Sequence, residues 1–367
     1  MASLTNEETK RLRNLGKALI DQERAQMVVP AKENSPGFWF GSGNLVEDKD
    51  GTLYICGRYR NYGDSRTGLH AGERGMELAI FRSRNGGESF DKIASYSKAE
   101  LSHHGHDVVS IEGSALRLVP DGVEFYVSTE KAGYSYPEGL ESFQKEGTGK
   151  WTIDLVRGSS PERLDLTTIS TVLQSEDPRF LHVKDPVLAE HAGESYLAFC
   201  THPFNWASSN SGIARLGEEG VESPDFTFFP RGFAWDVGIS RITGVTAVPP
   251  VGSFAGRPNL SLVFYDGGES MRDLDEHKKA VRRPRGYSCE ELGGYAVSEA
   301  AGLRDIERIS TYLPEFVSPT GSGSSRYIQA FHTSQGLLAF WQQSQEDFSQ
   351  PLVMHRLSME QVEEILS

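Results

Sequence analysis

Three acidic residues lie in or beside short apolar segments, where a charged side chain needs either a partner or a purpose. Glu112 is flanked by small and apolar residues, Asp107 precedes the same segment, and Asp185 stands between a lysine and a proline. Burial in apolar surroundings favours the protonated form of a carboxyl group. A protonated and an ionised carboxyl together can perform acid–base catalysis. We therefore predict Glu112 as the acid, with Asp185 or Asp107 as the base or as the group that tunes the acid.

Glu112 and Asp185 also have structural interpretations. Glu112 could be a strand residue held in a salt bridge, because a charge in a buried strand needs compensation. Asp185 could be the first half of an Asp-Pro turn. Both alternatives stay open at the level of sequence.

The elements that would position these residues form an internal repeat. Five segments are apolar and aromatic, follow a Gly or Pro turn, and end abruptly in polar residues: Thr52–Arg60, Val123–Lys131, Glu194–His202, Leu260–Gly268 and Gly336–Ser344. A candidate inner strand precedes each: Gly41–Glu47, Ser110–Leu118, Val183–Glu190, Arg241–Val248 and Arg326–His332. Repeats of several strands at this spacing indicate a β-propeller. We predict an all-β fold with five blades over residues 31–367.

Short helices are predicted at both ends of the chain. Asn6–Met27 has helical composition with leucines spaced three to four apart, and Asn6 is a candidate N-cap. Residues 1–30 are therefore predicted as a helical extension, and Ser358–Leu366 as a closing helix.

Composition excludes several functional classes. The chain has 367 residues and a formal net charge of −14, which disfavours nucleic acid and anionic membranes as partners. No apolar run approaches the roughly 18 residues of a transmembrane helix, and the N-terminus lacks the apolar stretch of a secretory signal. The three cysteines, Cys56, Cys200 and Cys289, are widely spaced and show no zinc pattern. These features predict a cytoplasmic protein without a cofactor.

Residues that follow the second strands should meet at one mouth of the propeller. Strand alternation brings these loops to the end where the inner strands begin, and each loop combines an aromatic side chain with hydrogen-bonding or charged ones. Sugar sites need that mixture. The predicted substrate-binding residues are Arg60, Asp64, His106, Lys131, Lys184, His202, Trp206, Arg241, Asp266 and Arg326. Their basic members, together with Arg58, favour an anionic sugar, unless they pair with carboxylates of the funnel itself.

Two further segments bear on function. Ser102–Asp107 contains three histidines, but no carboxylate spacing typical of a metal site accompanies them, so we predict ring donors to a ligand and no metal. The long charged segment Glu269–Cys289 exceeds ordinary hairpin loops and is either a lid or a solvated insertion.

The turn Ser83–Phe90 resembles the Asp-box of sialidase-like propellers, with Asn85 in place of the aspartate and Phe90 in place of the tryptophan. The resemblance implies a folding motif, in which polar side chains close a tight turn on glycines.

Motifs on the inner strands resemble the five-bladed glycosidases: the arabinanase and β-xylosidase group, the invertase group and the β-mannoside phosphorylase group. Lys184-Asp185-Pro186 resembles their Arg-Asp-Pro or Lys-Asp motif, Glu112-Gly113 their acid, and Ser175–Phe180 the Glu-Asp-Pro-Arg of the phosphorylases. Two features differ. In the first two groups the acid follows the Asp-Pro strand, whereas here Glu112 precedes Asp185. The first inner strand, Phe40–Leu45, also lacks the aspartate that those families use as base or nucleophile, so Asp64 or Asp107 would have to substitute for it from a loop.

The resemblance implies a glycoside hydrolase that acts on an oligosaccharide. One alternative is a polysaccharide lyase that uses His104 or His106 with Tyr134 as base and acid. Another is a sugar-binding propeller without activity.

Overall fold

The computed structural model describes residues 4–60, 75–218, 220–268 and 291–367. The first elements are helix α1 (Asn6–Leu19) and strand β1 (Gln26–Val29). Blade one contains β2 (Trp39–Gly41) and β3 (Leu45–Glu47), both paired with β4 (Leu53–Arg60), and then β5 (Glu77–Ser83) and β6 (Asp91–Ser97). Helix α2 (Lys98–Leu101) leads into blade two, which contains β7 (Val108–Val119), β8 (Gly122–Lys131), β9 (Lys150–Ser160) and β10 (Arg163–Leu173).

The remaining blades repeat this order. Blade three contains β11 (His182–His191), β12 (Glu194–His202), β13 (Asn210–Gly217) and β14 (Gly220–Phe229). Blade four contains β15 (Ile239–Ala247), β16 (Ser261–Gly268), β17 (Leu292–Ser298) and β18 (Glu307–Arg308). Blade five contains β19 (Ser325–Thr333), β20 (Gly336–Gln343) and β21 (Leu352–Leu357), and helix α3 (Met359–Leu366) follows. The predicted five-bladed propeller with short terminal helices is confirmed.

The second strand of each blade is the most buried. Every residue of β4, β16 and β20 is buried, because both faces of each sheet are covered by neighbouring blades. This explains the continuous apolar runs in the sequence, since a strand covered on both faces does not alternate.

The N-terminal segment closes the ring. Strand β1 pairs antiparallel with β21, so blade five takes its outermost strand from the start of the chain. The predicted helix over Asn6–Met27 was therefore too long: α1 ends at Leu19, and the β-branched pair Val28-Val29 belongs to a sheet. The predicted cap was also wrong, because Thr5 rather than Asn6 accepts the Glu8 backbone N–H in a reciprocal capping box.

The terminal helices cover one part of the propeller core. Leu12, Leu15 and Leu19 of α1 are buried in a cluster with Val362 and Leu366 of α3 and with side chains of blades four and five. The predicted closing helix over Ser358–Leu366 is α3, which begins at Met359 with Ser358 as its N-cap. Among the described residues, none of the helices reaches the length and apolarity that a bilayer crossing requires.

The turn Ser83–Phe90 folds as its resemblance implied. The Asn85 side chain accepts hydrogen bonds from the Ser83 hydroxyl at 2.7 Å and the Ser89 backbone N–H at 3.1 Å. Gly86 and Gly87 take the left-handed conformation, with φ of 70° and 95°. The turn joins β5 to β6, at the end of the propeller opposite the inner-strand starts.

A β-bulge interrupts every inner strand at a similar level. Between Ile111 and Ser114, for example, β7 advances three residues while its partner β8 advances two, from Thr129 to Val127. The other inner strands show the same single extra residue, at Ser42–Asn44, Asp185–Pro186, Thr243 and Tyr327–Ile328. A bulge re-aims the side chains at its position and is common next to active sites. Two of the predicted carboxylates, Glu112 and Asp185, lie at this level of the funnel.

Candidate functional site

Three of the bulges place a residue other than glycine in the left-handed region. Ser42, Asp185 and Tyr327 have φ of 61°, 53° and 54°, and they come from blades one, three and five. Such conformations are costly and persist where the surrounding structure holds them, often at functional sites. The matching strain in three blades marks one level of the axis as a candidate site.

Asp185 joins four blades at this level. Its Oδ1 accepts hydrogen bonds from the Ser42 hydroxyl and the Gly113 backbone N–H, each at 3.1 Å. Its Oδ2 accepts from Arg241 at 3.1 Å, and its own backbone N–H donates to the Ser128 hydroxyl at 3.1 Å. The Asp-Pro pair is therefore not a surface turn, because Asp185 is 2% exposed and its hydrogen bonds connect four blades around the axis.

Arg241 forms the centre of a second set of ion pairs. It contacts Asp185 at 3.1 Å, Asp266 at 2.8 Å and Glu291 at 3.0 Å. Arg326 also binds Glu291, and the Tyr327 ring lies 4.1 Å from the Arg241 guanidinium carbon. Burial and its neighbour Glu291 raise the pKa of Asp266 to about 6, against the pull of Arg241. Burial alone would raise the pKa of Glu291, but Arg241 and Arg326 lower it to about 2.

Glu112 is held by Arg58 across the interface of blades one and two. Its Oε2 accepts from Arg58 Nη2 at 2.6 Å and from Nε at 3.1 Å. The other oxygen, Oε1, accepts no hydrogen bond from any described residue. Burial would raise the pKa of Glu112, but Arg58, Lys184 and Arg60 outweigh it and hold the pKa far below its usual range. The prediction of a protonated Glu112 is therefore wrong for the free protein, because it counted apolar neighbours along the strand and missed cations from other blades.

The cations of the cluster are arranged around aromatic rings. The guanidinium carbons of Arg60 and Arg326 lie 4.6 and 4.1 Å from the ring of Trp39. The Lys184 ammonium lies 5.5 Å from both Trp151 and Trp206, and no described carboxylate pairs with it. Arg58, Arg241 and Arg326 do pair with carboxylates of the funnel, as the alternative interpretation stated.

Trp206 forms an aromatic surface at the rim. Its ring stacks on His182 at 4.3 Å and lies 4.6 Å from His202. Burial lowers the pKa of His182 to about 3, and the pKa of His202 is also well below its usual value, so both rings are neutral at physiological pH. The nitrogens of His202 face the Ser208 carbonyl at 3.0 Å and the Cys200 sulfur at 3.3 Å. His202 thus supports Trp206 from inside the protein.

The other predicted residues fall in different places. Lys131 is fully buried and binds Asp154 at 2.7 Å within blade two, so its ammonium is already neutralised. His106 lies at the rim, stacked on Tyr134 at 4.2 Å, and Asp107 beside it is exposed. Asp64 and the segment Glu269–Cys289 lie outside the described residues. Among the residues that are described, no group of histidines, cysteines and carboxylates is arranged to hold a metal ion.

Four residues of the site were not predicted. Glu291, Tyr327, Trp39 and Ser42 contribute ion pairs, ring contacts or hydrogen bonds to the cluster. Glu291 could have been found, because a Glu-Glu pair stands directly before the third strand of blade four. Ser42 and Tyr327 carry no comparable signal, since a bulge that turns one inner residue to the axis leaves little trace in sequence.

Fold and site together define a five-bladed propeller with a charged axial cluster. Solved structures share the fold. The chain is 10% identical to a protein described as a glycoside hydrolase, with a TM-score of 0.59 over 96% of this chain and 95% of that one. An α-L-arabinofuranosidase from Lactobacillus brevis matches with a TM-score of 0.52 and 11% identity over 92% of both chains. An endo-arabinase from Bacteroides thetaiotaomicron matches with a TM-score of 0.52 and 10% identity over 90% of this chain and 97% of its own.

These likenesses establish the fold and agree with the predicted resemblance to five-bladed glycosidases. No family model and no curated protein sequence matches the chain.

Proposed function

We propose that the protein is a glycoside hydrolase that cleaves an oligosaccharide in the propeller funnel. The observation that carries this proposal is Glu112, an ionised carboxylate with one oxygen fixed by Arg58 and the other without a hydrogen bond from the described residues. Hydrolysis of a glycosidic bond needs such a carboxylate as base or nucleophile. The likeness of fold to an arabinofuranosidase and an arabinase supports the same class of reaction.

The roles follow from access and charge. Glu112 is the base or nucleophile, because its pKa keeps it ionised at neutral pH. Asp185 fixes the geometry, since donors from three other blades bind its carboxylate. Asp107 lies five residues before Glu112, about 16 Å of strand, so we assign it to the rim rather than to the reacting bond. The proton donor is a separate group, and the remaining candidate from the sequence, Asp64, lies outside the described residues.

We further propose that the substrate carries a negative charge. In the described cluster, the carboxylates of Glu112, Asp185, Asp266 and Glu291 pair with Arg58, Arg241 and Arg326. Lys184 is half-buried beside Trp206 and has no described ion-pair partner. A uronate or sulfated sugar stacked on Trp206 would place its charge near this ammonium.

A polysaccharide lyase is the second candidate. The His106 ring stacks on Tyr134 at 4.2 Å, and the Lys150 ammonium, which pairs with Glu176, lies 5.4 Å from the same tyrosine ring. A histidine, a tyrosine and a cation are the groups that would remove a proton beside a uronate carboxylate.

One assay separates these functions. The protein is incubated with neutral arabino- and xylo-oligosaccharides, with oligogalacturonides, and with oligogalacturonides whose carboxyl groups have been reduced to alcohols. A hydrolase releases new reducing ends, a lyase releases an unsaturated product that absorbs ultraviolet light, and a binder releases neither. Cleavage that favours the uronate substrates, and that loses this preference in Lys184→Met, supports the anionic sugar. Equal rates on charged and reduced substrates would refute it.

A further inference from the structure

Exposed apolar side chains are concentrated at one end of the molecule. Six large hydrophobic residues of the described chain are exposed, and one of them, Met27, lies on the outer strand β1. The other five lie in loops at the end where the inner strands begin: Phe143, Phe233, Val237, Tyr312 and Leu313. The register shows that this is the mouth, since Ile239 at the start of β15 pairs with Gly268 at the end of β16.

Two of these residues form an aromatic pair. Phe233 and Tyr312 are 70% and 71% exposed, with ring centroids 5.6 Å apart and planes at 77°. Leu313, next to Tyr312, is 74% exposed. Exposed apolar side chains that gather in one place mark a binding surface more often than single ones do.

The loops that carry this pair are fixed to each other. The Trp235 indole N–H donates to the Ser310 carbonyl at 2.8 Å. Arg308 donates to the buried Asp236 carboxylate at 2.9 Å and also to the Pro230 carbonyl. A surface that is held in place before binding loses little entropy when a ligand arrives.

We infer that Phe233 and Tyr312 form a platform for a sugar ring of the glycan chain as it leaves the funnel. The inference rests on the proposed function and names a subsite for it. Aromatic faces pack on the C–H surfaces of sugar rings, and the tyrosine hydroxyl and the exposed Arg231 nearby offer donors to hydroxyl or carboxylate groups. Val237 and Phe233 precede the axial Arg241 by four and eight residues, which limits the span from the axis to about 14 and 28 Å of extended chain. An oligosaccharide of a few units covers such a distance.

A second copy of the chain fits this surface less well. A stable protein interface buries about 800 Å² on each partner and involves roughly 20–30 residues. Phe233, Tyr312, Leu313 and Val237 are four side chains, of which the two aromatic ones bury about 150–250 Å² each.

The test compares Phe233→Ala/Tyr312→Ala with the wild type on oligogalacturonides and xylo-oligosaccharides of two to six units. Binding is followed by titration calorimetry and cleavage by release of reducing ends. We expect affinity and kcat/KM for the longest chains to fall about 2- to 10-fold for each lost ring, with unchanged values for dimers. Met27→Ala, which removes an exposed apolar side chain away from the mouth, should match the wild type at every length.

The outcomes are distinguishable. Equal losses at all lengths would mean that the rings act at the reacting bond or stabilise the fold. No loss at any length would refute the platform. A change of molecular mass in light scattering would show an interface between protein chains instead. If the wild type binds long glycans through these rings without cleaving them, the platform stands and the proposed hydrolase falls. If the wild type cleaves long glycans and the variant is unaffected, the proposed hydrolase stands and the platform is refuted.

Discussion

At the scale of single residues, the ionisation state of Glu112 decides whether it acts as the base or nucleophile, or as the acid. Glu112→Gln removes the ionised oxygen that we assign as base or nucleophile. We expect rates to fall about 10²–10⁴-fold on a natural oligosaccharide and by a similar factor on a nitrophenyl glycoside. An activated leaving group does not need a proton, but it still needs the base or nucleophile. Initial rates on both substrates measure the effect.

Glu88→Gln is the matched control, because Glu88 is exposed in the turn at the opposite end of the propeller. It should retain full rates. If Glu112→Gln slows the natural substrate and spares the nitrophenyl glycoside, Glu112 is the acid that its apolar sequence neighbours suggested, and substrate binding must then raise its pKa.

The ion pairs of Glu291 should make the free energy of unfolding of the protein depend on pH. Its pKa is about 2 in the folded protein, below the ordinary 4.5, because Arg241 and Arg326 outweigh burial. A lowered pKa adds stability that is present above about pH 4.5 and is lost as the pH falls towards 2. Glu291→Gln should lower the free energy of unfolding by about 3–5 kcal/mol at pH 7, and the difference from the wild type should shrink in that window. Urea unfolding at several pH values measures it.

Glu194→Gln provides the comparison. Glu194 is 41% exposed and lies 3.8 Å from Arg215, so its loss should cost less than about 1 kcal/mol at any pH. A Glu291→Gln difference that does not change with pH would mean that packing, and not charge, holds Glu291.

At the scale of elements, the bulges turn the inner strands into a site. The extra residue in β7 sets Gly113 against the neighbouring blade, where an added Cβ would lie 2.7 Å from the Asp185 Cα and 2.8 Å from the Ser42 hydroxyl. Gly113→Ala should therefore push these strands apart, lower stability by about 1–3 kcal/mol, and reduce activity. Thermal unfolding and rate assays measure the two effects. Gly256→Ala should be neutral, because nothing lies within 4 Å of its added Cβ. Normal activity in Gly113→Ala would show that the axis tolerates a shift at this level.

At the scale of the whole molecule, the N-terminal segment completes the propeller. Deletion of residues 1–29 removes α1 and β1, and leaves the edge of β21 without its partner. The three buried leucines of α1 are each worth about 1.5–3 kcal/mol, a large share of a typical stability of 5–15 kcal/mol. We expect the truncated protein to aggregate or to lose cooperative unfolding, as measured by calorimetry and light scattering.

Two point variants measure how much single residues of α1 contribute to this stability. Leu15→Ala should cost about 2–5 kcal/mol, and the exposed Lys10→Ala less than about 0.5 kcal/mol. A truncated protein that unfolds cooperatively at the wild-type temperature would show that blade five closes without β1.

The sequence by itself determined the blades, because turn residues and apolar runs are local signals that a strand covered on both faces must show. It also named Glu112, Asp185, Arg241, Asp266 and Arg326, all of which lie in the axial cluster. The tertiary structure alone decided how they are charged. Arg58 is 54 positions from Glu112, and Arg241 is 56 positions from Asp185. These contacts join different blades, so they form only when the ring of blades closes. A pKa depends on charges within a few ångströms, and no segment of sequence shows which blades will meet.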